Sequence, residues 1–368
     1  MTELTQAWLS SMQKKLHHKM MYAVEKAQTL DGIPYTTKDG EWMTGPFDGI
    51  CWWTNGFWSG AMWQMYLMTG DDRYVKEAAR GEKLLDAALE DYWHLHHDVG
   101  FMWRLSSATS YDLTGDEISL KRAMIAANLL AGRFNPLGFI RAWNDDCQGW
   151  AIIDCMMNLS LLYWASEING DPRFRKIAMQ HADTAMKYFV REDGSCEHIV
   201  IFDPETMAVL EKPGGQGYCP GSSWSRGQGW AMYGFMISYR YTREKRYLET
   251  AKKVADYFLS CIGEDGIPDA DFRAPKEDVR KDNVAGALAA CALIDLSREL
   301  EDGHYMDAAL WLLQAMENQD ADWSQNCPAI FKRCRASWSS KEHQTMQYGD
   351  YFFIEAINKL SGNDYRMW

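Results

Sequence analysis

No apolar run in this 368-residue chain reaches the ~18 residues needed to cross a bilayer; the longest covers residues 284–294. The sequence therefore reads as one that does not span a membrane. Positive charge is also short. The 38 Lys and Arg face 51 Asp and Glu, and the net charge of −13 repels polyphosphate. That balance argues against general nucleic-acid binding and leaves room only for a local anion site. The nine cysteines are odd in number and contain no CxxC pair, so neither a zinc knuckle nor a disulfide framework is indicated. They read as thiols of a reducing compartment. The opening residues, MTELTQAWLSSM, hold an early Glu3 and no apolar stretch with a small-residue cleavage site, so cytoplasmic residence is the expectation. Missing too are GxSxG, HExxH, a P-loop and a dinucleotide fingerprint, which leaves serine-hydrolase, zincin, nucleotidase and Rossmann readings with no residues to rest on. With 28 glycines, 10 prolines and 47% hydrophobic residues, the composition is that of a folded globular chain, not of a disordered or collagen-like one.

What the chain has in excess is aromatic: 17 Trp, 18 Tyr and 14 Phe. It also repeats itself. A largely apolar helix, a turn holding Gly or Asp, and an amphipathic helix recur in MYLMTGDDRYVKEA (65–78), YDLTGDEISLKRA (111–123) and WASEINGDPRFRKIA (164–178). SYRYTREKRYLETA (238–251) and RELEDGHYMDAA (298–309) are looser copies. The turns fall near Gly70, Gly115, Gly170, Arg243 and Gly303, a helical-hairpin period with variable insertions. Helices before a turn, such as 151–165 and 284–296, are apolar nearly all round and should lie inside. Those after it, such as 173–188 and 247–259, carry one apolar stripe and should lie outside. With an N-terminal helix near 5–28 and a closing one near 350–360, the pattern predicts an all-α (α/α)6 toroid, about six inner–outer hairpins in a single domain spanning 1–368. Strand signals are few, the best being 198–202 before Asp203-Pro204.

Function should sit in the loops that enter the inner helices. Trp52, Trp53 and Trp58, then Trp143 and Trp150, then Trp224 and Trp230, cluster there with Asn55, Gln148, Arg226 and Gln228. Such rings are either core filling or a platform for a sugar ring; polar groups that would be costly to bury unpaired favour the platform. Asp154 interrupts the apolar run 151–165, where desolvation would raise its pKa and suit a general acid; the plainer reading is a helix cap. Asp98, in HHDVGF, is either a turn residue before Gly100 or a second carboxylate of the site. The histidines around it match no standard zinc spacing, so no metal is expected.

The strings WTNGFWSG (53–60), HHDVGFM (96–102), WAIIDCMMNLSLLYWA (150–165), His198 with FDPET (202–206), and QGY with SSWSRGQGWAMYG (216–234) resemble the unsaturated glucuronyl hydrolases of glycoside hydrolase family 88. The resemblance runs in order from about residue 50 to 300, and its (α/α)6 barrel agrees with the hairpin count. It implies an enzyme without cofactor, a monomer or weak homo-oligomer, whose partner is an unsaturated uronyl oligosaccharide left by a polysaccharide lyase. The reaction implied hydrates a vinyl ether: a proton adds to C4, water adds to C5, and the hemiketal opens. Carried over by motif, Asp154 would be the general acid and base and Asp98 its assistant. His198 and Gln216 would bond the uronate or the water. Trp53, Trp143, Trp224 and Trp230 would wall the site with Asn55, and Arg226 would suit a carboxylate. Two stretches depart from the family: CPGSS (219–223), and residues 268–283. The segment 337–341 resembles a Ser/Lys patch that holds a second sugar, and Lys341 is the candidate there, against the plainer reading of a solvated basic loop. The related unsaturated rhamnogalacturonyl hydrolases and a non-catalytic sugar-binding toroid are the competing readings.

Overall fold

The computed structural model describes residues 2–45, 49–363 and 365–368. In chain order its helices are α1 (Glu3–Ala27), α2 (Asn55–Thr69), α3 (Asp72–Leu84), α4 (Asp86–Glu90), α5 (Val99–Trp103), α6 (Thr109–Thr114), α7 (Glu117–Gly132), α8 (Cys155–Asn169), α9 (Pro172–Tyr188), α10 (Ser225–Thr242), α11 (Lys245–Cys261), α12 (Asn283–Leu300), α13 (Gly303–Asp320) and α14 (Gln347–Leu360). A π-helical turn, Arg104–Ala108, joins α5 to α6 into one interrupted helix.

Six inner segments, α2, α5–α6, α8, α10, α12 and α14, pack side by side, and α14 returns to α2 and closes the ring. Outside them lie α1, α3, α7, α9, α11 and α13. The expected (α/α)6 toroid is thus present. The layers follow from composition: every residue of α14 is buried, whereas α11 buries only Tyr247, Thr250, Ala251, Val254, Ala255 and Phe258.

The repeated turn has a physical basis in its two residues. Gly70, Gly115 and Gly170 end the inner helices in the left-handed conformation, at φ 70°, 74° and 72°, and each donates its N–H back to the last turn. The next residue, Asp71, Asp116 or Asp171, caps the outer helix by accepting from its first N–H groups. The looser copies are those where Arg243 and Glu301 take the left-handed position instead of Gly. The fifth turn therefore pivots on Glu301, two residues before the expected Gly303, which begins α13.

Strands are short and sit at the end of the ring where the inner helices begin. A hairpin of β1 (Pro34–Lys38) and β2 (Glu41–Thr44) precedes α2, and β3 (Phe134–Asn135) pairs with β4 (Phe139–Ile140) after α7. A three-stranded sheet is formed by β5 (Trp150–Ile152), β6 (Ile199–Phe202) and β7 (Val209–Glu211). The helix expected over 151–165 is displaced by that sheet: residues 150–152 pair with 199–201, and α8 starts at Cys155. Pairing with a second β-branched segment wins over helix extension there. Asp154 accordingly stands at the helix entrance and not within it.

Candidate active site

The antiparallel register of β5 and β6, Ile152 opposite Ile199, brings the residues after β5 next to those before β6. Ile153 donates its N–H to the His198 carbonyl at 3.0 Å. Asp154 and His198 thus meet at one end of the sheet, with His198 Nε2 3.4 Å from Asp154 Oδ2. Asp154 occupies the cap position of α8, yet its side chain caps nothing, and its buried Oδ2 has no hydrogen-bond partner. The capping alternative is set aside by that geometry, because the side chain makes no cap hydrogen bond.

His198 is fixed from behind. The Gln216 N–H donates to His198 Nδ1 at 2.9 Å, which in the neutral tautomer leaves the ring proton on Nε2. Trp224 packs on the imidazole with ring centres 4.5 Å apart. Gly215 makes the approach possible: it is left-handed at φ 58°, and a Cβ there would fall 1.9 Å from His198 Nδ1. Gly215 is absent from the residues that the sequence marks out; its place directly before the Gln-Gly-Tyr string is the available signal.

Asp98 stands at the start of α5, 7% exposed. Asn158, one turn into α8 from Asp154, donates to Asp98 Oδ1 at 3.1 Å and accepts the Phe101 N–H at 2.6 Å. His96 Nδ1 and His97 Nε2 lie 3.4 Å from its two oxygens. Burial, and next the charge of Asp154, push the Asp98 carboxyl well above the usual range. Burial pushes His96 down to about 4 and His97 well below its usual value, so both rings are neutral near pH 7. The carboxyl held protonated by desolvation is therefore Asp98, whereas the sequence assigns that tuning to Asp154. His96, His97 and Asp98 bring one nitrogen or oxygen each within 4.8 Å, the single such trio among the described residues. Asn158 gives no signal in the sequence, because one amide inside an apolar helix makes no pattern.

The remaining predicted residues divide. Trp53 is half-buried and lines a cavity of about 540 Å³ with Trp52, Tyr348, Gln216 and Ala336. Two of its lining residues touch neighbours of the carboxylates: Trp53 packs on Phe101, three residues beyond Asp98, and the Gln216 N–H donates to His198, beside Asp154. Trp143 is half-buried against Trp150 of β5, at 5.6 Å, and so flanks the sheet that carries Asp154. Three predictions need correction. Trp230 is 0% exposed and packs on Phe101 and Phe352, so it is core beneath the site and not a wall. Arg226 is buried and already paired, with Nη1 2.6 Å from Asp282 Oδ2 and further donors on the Arg335 and Ala336 carbonyls. It tethers the 335–336 segment beside the cavity instead of waiting for a substrate carboxylate. Asn55 spends its amide donors on the Gly49 and Ile50 carbonyls, 3.1 and 2.9 Å away, and shapes the turn before Trp53. Lys341 is exposed at the end of a serine loop that reaches the site through Trp338, whose N–H donates to the Gln216 carbonyl at 2.8 Å.

The two stretches that depart from the family pattern touch each other. Asp271 accepts N–H groups from Tyr218 at 3.0 Å and Ser223 at 3.1 Å, clasping 218–223 to 268–283. A second cavity of about 490 Å³ lies behind the Asp98 loop, between His96, Arg133 and Arg141.

A toroid of helical hairpins with two carboxylates, a fixed imidazole and aromatic walls at the entrance to its inner helices defines a glycosidase working by acid–base chemistry. Its sequence affinity agrees. The family model Glycosyl Hydrolase Family 88 matches residues 12–259, and the chain belongs to that family. The unsaturated glucuronyl hydrolase of Bacillus sp. (strain GL1) is 36% identical over 325 residues, 84% of this chain and 86% of that protein. The unsaturated chondroitin disaccharide hydrolase of Streptococcus pyogenes serotype M1 is 32% identical over 335 residues, 86% of this chain and 82% of that one. Among solved structures, the Bacillus sp. GL1 enzyme superposes with a TM-score of 0.88 at 31% identity, covering 95% of this chain and 96% of its own. An unsaturated glucuronyl hydrolase specific for heparin gives 0.86 at 32% identity, covering 97% of each chain.

Proposed function

We propose that this chain releases the Δ4,5-unsaturated glucuronic acid at the non-reducing end of lyase-generated oligosaccharides, glycosaminoglycan disaccharides foremost, by hydrating the vinyl ether. The observation that carries the reading is the unpartnered Asp154 Oδ2, buried beside His198. A buried carboxylate oxygen with no donor is costly unless a ligand or a proton completes it. Asp154 takes up a proton as the anionic sugar binds, gives it to C4 and then takes one from the water whose oxygen adds to C5; the hemiketal opens and the aglycone leaves. Asp98, kept neutral by burial and by the charge of Asp154, removes one negative charge from the face that meets an anionic sugar. His198 stands beside Asp154 and Asn158 donates to Asp98, which fixes the directions of the two carboxyls. Because C1 is not displaced, the carboxylate separation does not decide between retention and inversion.

Trp53 and Trp143 flank the unsaturated ring and Gln216 its polar edge, while Lys341 reaches toward the second sugar. The work is done by one catalytic domain. Among the described residues no helix is long and apolar enough to cross a membrane. The buried thiols Cys155, Cys196, Cys291 and Cys334 fit a reducing cytoplasm. The test is loss of the ultraviolet absorbance of the 4,5 double bond on unsaturated chondroitin and heparin disaccharides. Asp154→Asn should lower turnover by about 10²–10⁴-fold, the usual share of a general acid–base group, with an unchanged circular dichroism spectrum. Turnover of unsaturated rhamnogalacturonan alone, or undiminished turnover by the variant, overturns the reading.

A further inference from the structure

Arg133 is not among the residues that the sequence singles out. It follows the last turn of α7, beside the second cavity, and none of its neighbours in sequence marks it as special. Its side chain nevertheless spends all five N–H donors on oxygen atoms from two separate loops. Nε donates to the Arg141 carbonyl at 2.9 Å. Nη1 reaches the Asn144 side-chain oxygen at 2.9 Å and the Leu95 carbonyl at 3.5 Å. Nη2 reaches the Ala142 carbonyl at 3.0 Å and the Trp143 carbonyl at 2.9 Å.

The first loop leads through His96 and His97 into Asp98, and the second carries Trp143. Ala142 joins them a second time, because its carbonyl also accepts the His97 N–H at 3.2 Å. We propose that Arg133 is the positioning residue that locks the Asp98 loop to the Trp143 loop and so sets the distance between the acid pair and the wall of the sugar site. The assignment rests on the reading of Asp98 as part of the acid–base pair.

Only a guanidinium suits this position. Five donors in one rigid plane match five oxygens converging from two directions, whereas an ammonium has three donors and no plane. The cost of placing a charge there is visible in the side chain itself: burial, and then Arg141, push its pKa down to about 10. A residue of purely structural use could be neutral. The charge acts on Asp98, whose ionised form it favours, against the burial and the Asp154 charge that oppose ionisation. His96 and His97, the other titratable groups facing Asp98 on its own loop, are neutral, and Cys155 facing it from α8 is pushed up by burial and stays protonated. Arg133 is therefore a cation that both shapes the site and tunes Asp98.

Two variants separate the roles. Arg133→Lys keeps the charge and loses the fork; kcat on an unsaturated chondroitin disaccharide should fall at least tenfold while the alkaline limb of kcat/KM stays in place. Arg133→Met loses both; kcat should fall as far, and the alkaline limb should move to higher pH because a cation favouring ionised Asp98 is gone. Should Arg133→Met not fold, Arg133→Lys alone decides: full kcat in a folded Lys variant overturns the proposal. The comparison is Asp98→Asn. If Asp98→Asn is impaired and both folded Arg133 variants retain wild-type kcat and pH profile, Arg133 has no positioning role. If Asp98→Asn itself is fully active, the acid-pair reading fails, and the proposal fails with it.

Discussion

Holding Asp98 neutral has a thermodynamic cost with a definite sign. In the unfolded chain its carboxyl ionises near the ordinary value of 3.8, while in the folded protein burial, and after it Asp154, hold the proton on well above that. Above pH 3.8 folding must therefore take up a proton, and the stability contributed by this group, fully present below pH 3.8, is lost as pH rises toward the folded value. The slope is about 1.4 kcal/mol per pH unit, the linkage value for one proton. Asp98→Asn is neutral in both states and escapes the loss. Its melting temperature should match that of the wild type near pH 4 and exceed it by a growing margin up to pH 7, while activity collapses. Differential scanning calorimetry at stepped pH checks this; parallel melting curves for the two proteins would show that Asp98 ionises freely in the fold. The same logic accounts for the unpartnered oxygen of Asp154 and the unpartnered nitrogens of His97. Each is a group that a protein selected only for stability would have satisfied.

Between elements, the distance that matters most is the one between α5 and α8, since Asp98 begins the first and Asp154 precedes the second. Gly100 is where they touch: a Cβ added there would lie 2.5 Å from Asn158 Cα and 2.6 Å from its carbonyl oxygen. Both are backbone atoms and cannot turn aside. Gly100→Ala should push α5 away from α8, at the cost of about 1–3 kcal/mol usual for overpacking. The Asn158 bonds to Asp98 and Phe101 should break in the same movement. The expected outcome is a lowered melting temperature and a loss of kcat larger than the unfolded fraction explains, measured on the soluble protein. Equal losses of stability and activity would mean the contact is only structural.

These helix–helix details also mark the limit of legibility. The hairpin repeat is readable because Gly in the left-handed position and Asp at the cap are local choices, repeated at Gly70-Asp71, Gly115-Asp116 and Gly170-Asp171. Asp154 and His198 are readable as residue types in motifs. The start of α8 is not, because Ala151, Ile152 and Ile153 are apolar in a strand and in a buried helix alike. Arg226 and Trp230 look ligand-facing in sequence since nothing local shows that Asp282, fifty-six residues on, takes the guanidinium, or that Phe101 and Phe352 seal the indole. Arg133 is silent for the opposite reason: its partners are mainly backbone carbonyls, which every sequence has.

At the scale of the molecule, the ring has a centre, and Trp368 occupies part of it. The indole is 1% exposed, lies parallel to Phe352 with ring centres 6.1 Å apart, and meets Phe57 and Phe101 from the inner helices α2 and α5. Its Nε1 donates to Glu355 at 2.9 Å, and its carbonyl accepts from Arg240. These join a buried network in which Lys359 and Arg240 reach the same oxygen of Asp295, at 2.8 and 2.9 Å. Against the burial that would raise it, those two cations hold the Asp295 carboxyl below its usual range. Helices α2, α5, α10, α12 and α14 are thus tied to one point, far in sequence from Asp98 yet one aromatic contact from Phe101. Trp368→Ala should cost about 3–5 kcal/mol, as buried Trp truncations do. If the ring unfolds as one unit, equilibrium urea denaturation will keep a single transition, with a lower midpoint and the same slope, since the surface exposed on unfolding is unchanged. A second transition, with the catalytic end melting first, would instead show that hairpins separate and that one domain is the wrong description. Activity distinguishes the two outcomes below the transition: a cooperative ring keeps Phe101 and Asp98 in place until it unfolds, so kcat should follow the folded fraction through the whole curve.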